Sequence, residues 1–355
     1  PPSNTAPHTE FQAAAPFYTY SFPRDHGSHN GFRTEWWYYT GHLATKDGRQ
    51  FGYQLTFFRR GIVLESVRSN PSRWAIRHLY LAHLALSDHD QSRFRYAEKV
   101  SRAGLGKAGA ETGRLRVWVD RWVAEALSPQ DHRHHLQASA EDFSIDLTVT
   151  AEKAPVVHGE AGISRKGSQP DQASHYYSLT RLGTVGTITV NGEQMPVSGT
   201  SWMDHEFGSG ELGQELVGWD WFSVQLGNRT ELMLYQLRRA DGTVDLASSG
   251  TLIAPDGRPL HLSRTDVQVE ILNHWTSPIS GAIYPIRWRI SVPSLSLALT
   301  LTPRQSDQEL VTRRSTQVTY WEGAVQVAGT WHDAPMTGLG YVEMTGYAER
   351  YRQRL

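Results

Sequence analysis

Apolar and polar residues alternate along most of the 355-residue chain. That period of two is the mark of half-buried antiparallel strands, and the helical period is nearly absent. Phe143, Ile145, Leu147 and Val149 alternate with Ser144, Asp146, Thr148 and Thr150. Trp36 to Leu43 and Gln50 to Phe58 flank Lys46-Asp47-Gly48, which predicts a hairpin whose glycine supplies positive φ. Leu79 to Leu86 and Arg93 to Val100 flank Ser87-Asp88-His89-Asp90. Leu115 to Ala126 and His134 to Ala138 flank Ser128-Pro129-Gln130-Asp131. Strands punctuated by turns at this spacing predict an all-β fold, a sandwich or a barrel.

The pattern also repeats. Trp36-Trp37-Tyr38-Tyr39, followed by Tyr53-Gln54-Leu55 and Arg59-Arg60, is echoed by Trp219-Asp220-Trp221-Phe222 with Tyr235-Gln236-Leu237 and Arg238-Arg239. Phe143 to Thr150 is echoed by Leu295 to Thr302. Pro196-Val197-Ser198-Gly199 leading to Trp202-Met203-Asp204 is echoed by Pro335-Met336-Thr337-Gly338 leading to Tyr341-Val342-Glu343. Three echoes in one order predict a duplicated unit. The expected organisation is a flexible lead-in over 1–16, one barrel over 17–212 and a second over 213–355. Gly208-Ser209-Gly210-Glu211-Leu212-Gly213 would serve as linker. About eight strands per unit would enclose space for one small or slender apolar ligand. Pro155 to Ser174 is a long irregular insertion in the first unit only, of the kind that forms lids and binding loops.

Composition narrows the function. A formal net charge of −1 argues against a nucleic-acid partner, and no apolar run is long enough for a membrane span. Twelve Trp and fifteen Tyr are enough to line an apolar cavity as well as fill cores. The chain has no cysteine, which removes disulfides, thiol chemistry and Cys-type zinc sites. It begins at Pro1, so the lead-in is expected to follow a removed signal segment, making the protein exported, periplasmic or secreted.

The candidate chemistry centres on Gly199 to Gly208, which groups Trp202, Asp204, His205, Glu206 and Phe207. Alternation puts Trp202 and Asp204 on one face of a strand, and His175 and Tyr177 on one face of another. If both faces point into one barrel, an imidazole, a carboxyl and two π faces converge. Trp36 and Tyr38 share a face, while Glu35 shares the opposite one with Trp37 and Tyr39; Glu35 would be a carboxyl raised in pKa among aromatics, or a wet strand end. His205 completes the binding candidates Tyr177, Trp202, Glu35, Trp36 and Tyr38. Asp25-His26-Gly27-Ser28-His29 and Asp131-His132-Arg133-His134-His135 have metal-ligand residue types. Without an HExxH helix or a matched second cluster they read as solvated turns, and no metal is expected. No Gly-x-Ser-x-Gly elbow is present, which argues against an acyl-enzyme.

Glu35-Trp36-Trp37-Tyr38, Trp202-Met203-Asp204-His205, Tyr320-Trp321-Glu322-Gly323 and Gly340 to Tyr347 carry a family resemblance. From about Phe22 to Tyr347 the chain resembles the AttH and carotenoid-hydratase (hydroxyneurosporene synthase) family of predicted secreted hydrolases. The resemblance implies two lipocalin-like, calycin-type antiparallel barrels. It also implies Asp204 as the acid that protonates a double bond, with His175 and the aromatics Tyr177 and Trp202 assisting. Trp and Tyr stand exchanged relative to the hydratase pattern, which argues against strict carotenoid specificity. Glu343 and Tyr341 hold the corresponding place in the second half without an obvious histidine partner.

Three functions follow from these expectations. One is a cofactor-independent hydratase or isomerase for a lipid or isoprenoid-like ligand, with Asp204 and His175 catalytic. The second is a non-catalytic carrier of such a ligand working with a membrane transporter. The third is a surface interaction module with filled barrels.

Overall fold

The computed structural model describes residues 11–62, 77–128 and 132–352. Among them there is no α-helix, only the 3-10 turns Arg24–His26 and Pro293–Leu295. The alternation has become two antiparallel sheets, of 13 and 10 strands. Each is an up-and-down meander whose first strand returns to pair with its last. In the first sheet, Thr34–Thr45 pairs with Gln50–Gly61 on one side and Glu193–Gly208 on the other. In the second, Leu216–Leu226 pairs with Glu231–Arg239 and with Ala334–Thr345.

The two sheets share one strand order. The first runs Arg93–Arg102, His78–Asp88, Gln50–Gly61, Thr34–Thr45, Glu193–Gly208, Ala173–Val190, Phe143–Ala151, Arg133–Ser139, Trp122–Ala126 and continues into Arg116–Val119 and Ala108–Ala110, which have no counterpart in the second. The second runs Pro259–Ser263, Ser249–Ile253, Glu231–Arg239, Leu216–Leu226, Ala334–Thr345, Thr319–Trp331, Leu297–Pro303, Ile283–Val292, Gln268–Thr276. All three sequence echoes fall on equivalent strands. The fold is two lipocalin-like barrels from an internal duplication, each curled round its own core.

Those cores decide where a ligand can go. Trp37, Tyr39, Tyr53, Phe57, Trp122, Leu147 and Met203 fill the first barrel. Phe222, Trp288, Leu299, Trp321, Val325 and Val342 fill the second. The expectation of a ligand inside a barrel is therefore corrected: packed side chains occupy both interiors. Because side chains alternate along a strand, Trp36 and Tyr38 point the other way from Trp37 and Tyr39. Tyr38 joins Tyr176, Trp202, Trp221, Tyr235 and Tyr341 in a separate aromatic cluster drawn from both barrels.

Local expectations fared unevenly. Gly48 takes φ 95° at the predicted hairpin. The single strand expected over Leu115 to Ala126 is two, Arg116–Val119 and Trp122–Ala126, because the chain reverses at Asp120 with φ 53°. The insertion Pro155 to Ser174 carries two short strands, Val156–Val157 and Ser164–Arg165, which pair onto Ala173–Val190. Residues 1–10 of the lead-in, and Pro129 to Asp131 of one expected turn, lie outside the described residues.

Candidate functional site

A pocket with an accessible volume of about 200 Å³ lies between the barrels, lined by outward-facing residues of both. From the first come Trp36, Tyr38, Thr56, Phe58, Tyr176, Asp204 and Glu206. From the second come Trp219, Trp221, Tyr235, Tyr320, Glu322 and Glu343. The insertion adds Lys166. The result is an aromatic chamber with four carboxyl groups in its wall.

Asp204 is 4% exposed and accepts hydrogen bonds only from neutral groups. The Tyr176 hydroxyl donates to Oδ2 at 2.6 Å and Trp202 Nε1 to Oδ1 at 2.6 Å. The Ser178 hydroxyl also donates to Oδ1. Burial pushes this carboxyl up to about 7, against the opposing pull of those donors, with Glu206 pushing the same way as burial. An acid poised there can give or take a proton at neutral pH.

Glu343 is its counterpart. The register sets Tyr38 and Ser178 beside Asp204, and Trp221 and Glu322 beside Glu343. Equivalent strands of the two repeats therefore aim their acids into one space. Burial pushes Glu343 up to about 8, despite a hydrogen bond from Trp219. Glu322 is pushed well above the usual range by burial and then by the Glu343 charge. Tyr38 of the first barrel donates its hydroxyl to Glu322 Oε1, whereas Oε2 is buried without a hydrogen-bond partner among the described residues. The wiring also crosses in the other direction, where Trp221 Nε1 of the second barrel donates to the Tyr176 hydroxyl at 3.0 Å.

Among the described residues, Glu206 alone of the four acids forms an ion pair in the pocket. Lys166 Nζ lies 2.9 Å from its Oε1 and sits over the rings of Tyr235 and Tyr176, at 4.6 and 5.6 Å. Burial would lower the Lys166 pKa, but Glu206 and its neighbours outweigh this and raise it, so the amine stays charged.

The structure separates the sequence candidates into two groups. Asp204, Trp202, Trp36 and Tyr38 gather at the inter-barrel face. His175, Tyr177, His205 and Glu35 lie on the opposite face of the same strands. The expected meeting of His175 with Asp204 is corrected by register: Asp204 pairs with Ser178, and His205 with Tyr177, so alternation turns the two sets away from each other. His175 packs against Tyr18, Phe32 and Phe207, and burial lowers its pKa. Tyr177 bridges His26 at 2.7 Å and His205 at 2.9 Å. Glu35 is fully buried and receives His205 and His29 at 2.8 Å and Arg59 at 3.0 Å. Burial would raise its carboxyl, but these partners together hold it well below the usual range.

The stretch Asp25 to His29 belongs to that network and is not a solvated turn: Asp25 and His26 are buried, and His29 Nε2 meets Asp25 Oδ1 at 3.0 Å. His29, Glu35 and His205 bring ligand-type atoms within 4.8 Å of one another. The Arg59 guanidinium already on Glu35 repels a second cation, so the trio reads as a hydrogen-bonded strut. In the other histidine cluster His134 is buried and bonds the Tyr39 hydroxyl at 3.0 Å, while Asp131 lies outside the described residues.

Sequence reasoning missed His158, Lys166, Ser178 and Glu322 as site residues, and grouped Glu206 with the candidate stretch without giving it a role. His158 is fully buried; its Nε2 lies 2.7 Å from the Ser178 hydroxyl and its Nδ1 2.8 Å from the Thr251 hydroxyl. Burial lowers its pKa to about 3, keeping the ring neutral. Lys166 and His158 come from the insertion, whose length was the available signal.

A family model described as AttH-like matches residues 13–347. Among solved structures, an AttH from Nitrosomonas europaea is 36% identical with a TM-score of 0.83, the match covering 94% of this chain and 100% of that one. Dehydratase asqC of Emericella nidulans is 23% identical over 217 residues, 59% of this chain and 60% of that protein. The match thus spans less than two thirds of the asqC dehydratase. Kievitone hydratase of Fusarium solani subsp. phaseoli is 22% identical over 245 residues, 68% of each protein.

Proposed function

The chain belongs to the AttH-like family, and from that premise we propose that it adds water to, or removes it from, a carbon–carbon double bond of an apolar small molecule held between its barrels. The observation that carries this reading is Asp204, a buried carboxyl poised near pH 7 in an aromatic wall. In hydration, Asp204 gives its proton to one alkene carbon and the π pair forms the new C–H bond. The cation left on the neighbouring carbon faces the rings of Tyr38, Tyr176 and Trp221, each worth about 2 kcal/mol or more where water is excluded. Water then adds and loses a proton. Dehydration is the same path reversed. Two relatives named dehydratase and hydratase support the reaction class. His175, on the far face of the sheet, has no part in it.

The test is Asp204→Asn, assayed with prenyl-bearing alkenes and their tertiary alcohols in ¹⁸O-labelled water. Wild type converts those members it binds, and label enters the alcohols formed from alkenes. The variant loses about 10²-fold or more of that rate, the usual worth of a positioned acid, with affinity little changed by tryptophan fluorescence. Equal rates in the variant, or bound ligands returned chemically unchanged by wild type, would overturn the reading, the second outcome in favour of a carrier.

A further inference from the structure

The pocket's second carboxyl group has an address but no task. We infer that Glu322 and Glu343 form its oxygen subsite, which binds the hydroxyl of an apolar alcohol and exchanges a proton with it. The inference rests on the hydration–dehydration reading and supplies the half of it that Asp204 leaves open.

Three observations carry it. Glu322 and Glu343 stand directly opposite each other on neighbouring antiparallel strands, and both line the pocket. Two like charges at such positions repel, so the pair retains a proton where a lone carboxylate would not. Glu322 is 0% exposed, with Tyr38 on one oxygen and no hydrogen-bond partner on the other among the described residues. A buried polar atom without a partner is costly, and this one belongs to a side chain of the pocket wall, where a ligand group can satisfy it. Finally, the nearby ammonium of Lys166 is engaged by Glu206, and the surface of the wall is chiefly apolar, with arginines Arg59, Arg60 and Arg352 among its lining residues. The pocket thus suits a molecule that is apolar except for an oxygen placed at the glutamate pair.

The step balances without any added reagent. In dehydration, a carboxyl of the pair gives its proton to the hydroxyl oxygen. The C–O bond breaks, its electron pair leaves on the oxygen, and water departs. The Asp204 carboxylate removes a proton from the adjacent carbon, whose C–H pair becomes the π bond. Exchange with solvent returns the proton from Asp204 to the pair. In hydration each transfer runs the other way.

The experiment uses the full chain with 1-octanol and its near-isostere 1-chlorooctane, read by pocket tryptophan fluorescence, and infrared difference spectra of the carboxyl region at neutral pH. Wild type is expected to bind octanol about tenfold more tightly, a ratio equal to one buried hydrogen bond. Glu322→Leu/Glu343→Leu should reduce that ratio to about one while still binding chlorooctane. A protonated-carboxyl band should shift on adding octanol and be missing from Glu322→Gln/Glu343→Gln. No octanol preference in wild type, a preference kept by the leucine variant, or a band indifferent to octanol would each overturn the subsite. Asp204→Asn should keep the octanol preference. A preserved preference with no conversion of either alkenes or alcohols by wild type would retire the hydration–dehydration reading alone, and the converse would retire the subsite alone.

Discussion

His42 and Gln225 hold the same place in the two repeats and make the same bond in opposite directions. His42 Nε2 donates to the Gly340 carbonyl at 2.8 Å, and Gln225 Nε2 donates to the Ser201 carbonyl at 2.9 Å. Gly340 and Ser201 are themselves equivalent, three residues before Glu343 and Asp204. The barrels therefore meet as the subunits of a two-fold dimer would, each surface patch contacting its own copy. That arrangement is what brings two acid clusters into one pocket.

Stability should carry the signature of acids kept neutral by burial. Asp204 rises from 3.8 to about 7 and Glu343 from 4.5 to about 8 on folding. A raised acid makes the folded state bind protons that the unfolded chain releases, so its contribution is complete below the unfolded value and is lost as pH climbs to the folded one. Thermal midpoints of wild type should thus fall as pH rises from about 4 to 8 through these groups. Asp204→Asn should flatten the part between about 4 and 7 and be the more stable protein at pH 8. Parallel curves for the two would refute the assignment.

Lys166 and Glu206 should behave as one unit. Lys166→Met leaves Glu206, 4% exposed, without its cation. Breaking a buried pair from one side costs about 3 kcal/mol or more. Lys166→Met/Glu206→Gln should recover most of the loss, because the stranded charge goes with it. Urea unfolding of the two variants decides the matter, and equal losses would show that the amine's stem packing matters more than its charge.

The network on the far face should be structural. Glu35→Ala strands Arg59, which is 0% exposed, and should cost about 3–5 kcal/mol. Octanol affinity of the folded fraction should stay within about twofold of wild type, since Glu35 is absent from the pocket wall and reaches it through Arg59, away from the glutamate pair. His175→Ala should likewise leave the labelling rate unchanged. A large fall in rate with normal affinity would return His175 to the reaction.

His158 is a positioning residue for Asp204, acting through Ser178. Because Ser178 donates to Asp204, it must accept from His158 Nε2, and Thr251 must then donate to Nδ1. Ser178→Ala removes a donor that favours the carboxylate, so the Asp204 titration followed by carbon NMR should move above 7. His158→Ala should move it in the same direction by less, and His158→Gln should restore it. No movement in any of the three would mean that the chain of bonds is packing only.

Much of this was legible in the sequence, for a reason that also marks the limit. Alternation is a local property, so strands, repeats and the shared face of Trp202 with Asp204 could be read from neighbouring residues. Register is not local. Nothing in the stretch His175 to Ser178 states that Ser178, and not Tyr177, lies opposite Asp204. That single offset moves His175 from the pocket to the far side of the sheet. Whether the cavity lies within or between barrels was hidden for the same reason, since Trp36 and Trp37 are equally aromatic. His158 and Lys166 sit in an insertion with little periodicity to read; Lys166 reaches the pocket wall, and His158 acts on it only through Ser178.

Placing the pocket between the barrels also separates two kinds of change. On Thr34–Thr45, Trp37 and Tyr39 belong to a core, while Trp36 and Tyr38 belong to the wall. Substitution at the first pair alters how well the barrel folds, and at the second which molecule fits. A ligand held inside a barrel would make every such change both at once. Here specificity can drift along one side of a strand while the other side stays fixed, and the two repeats can drift independently of each other.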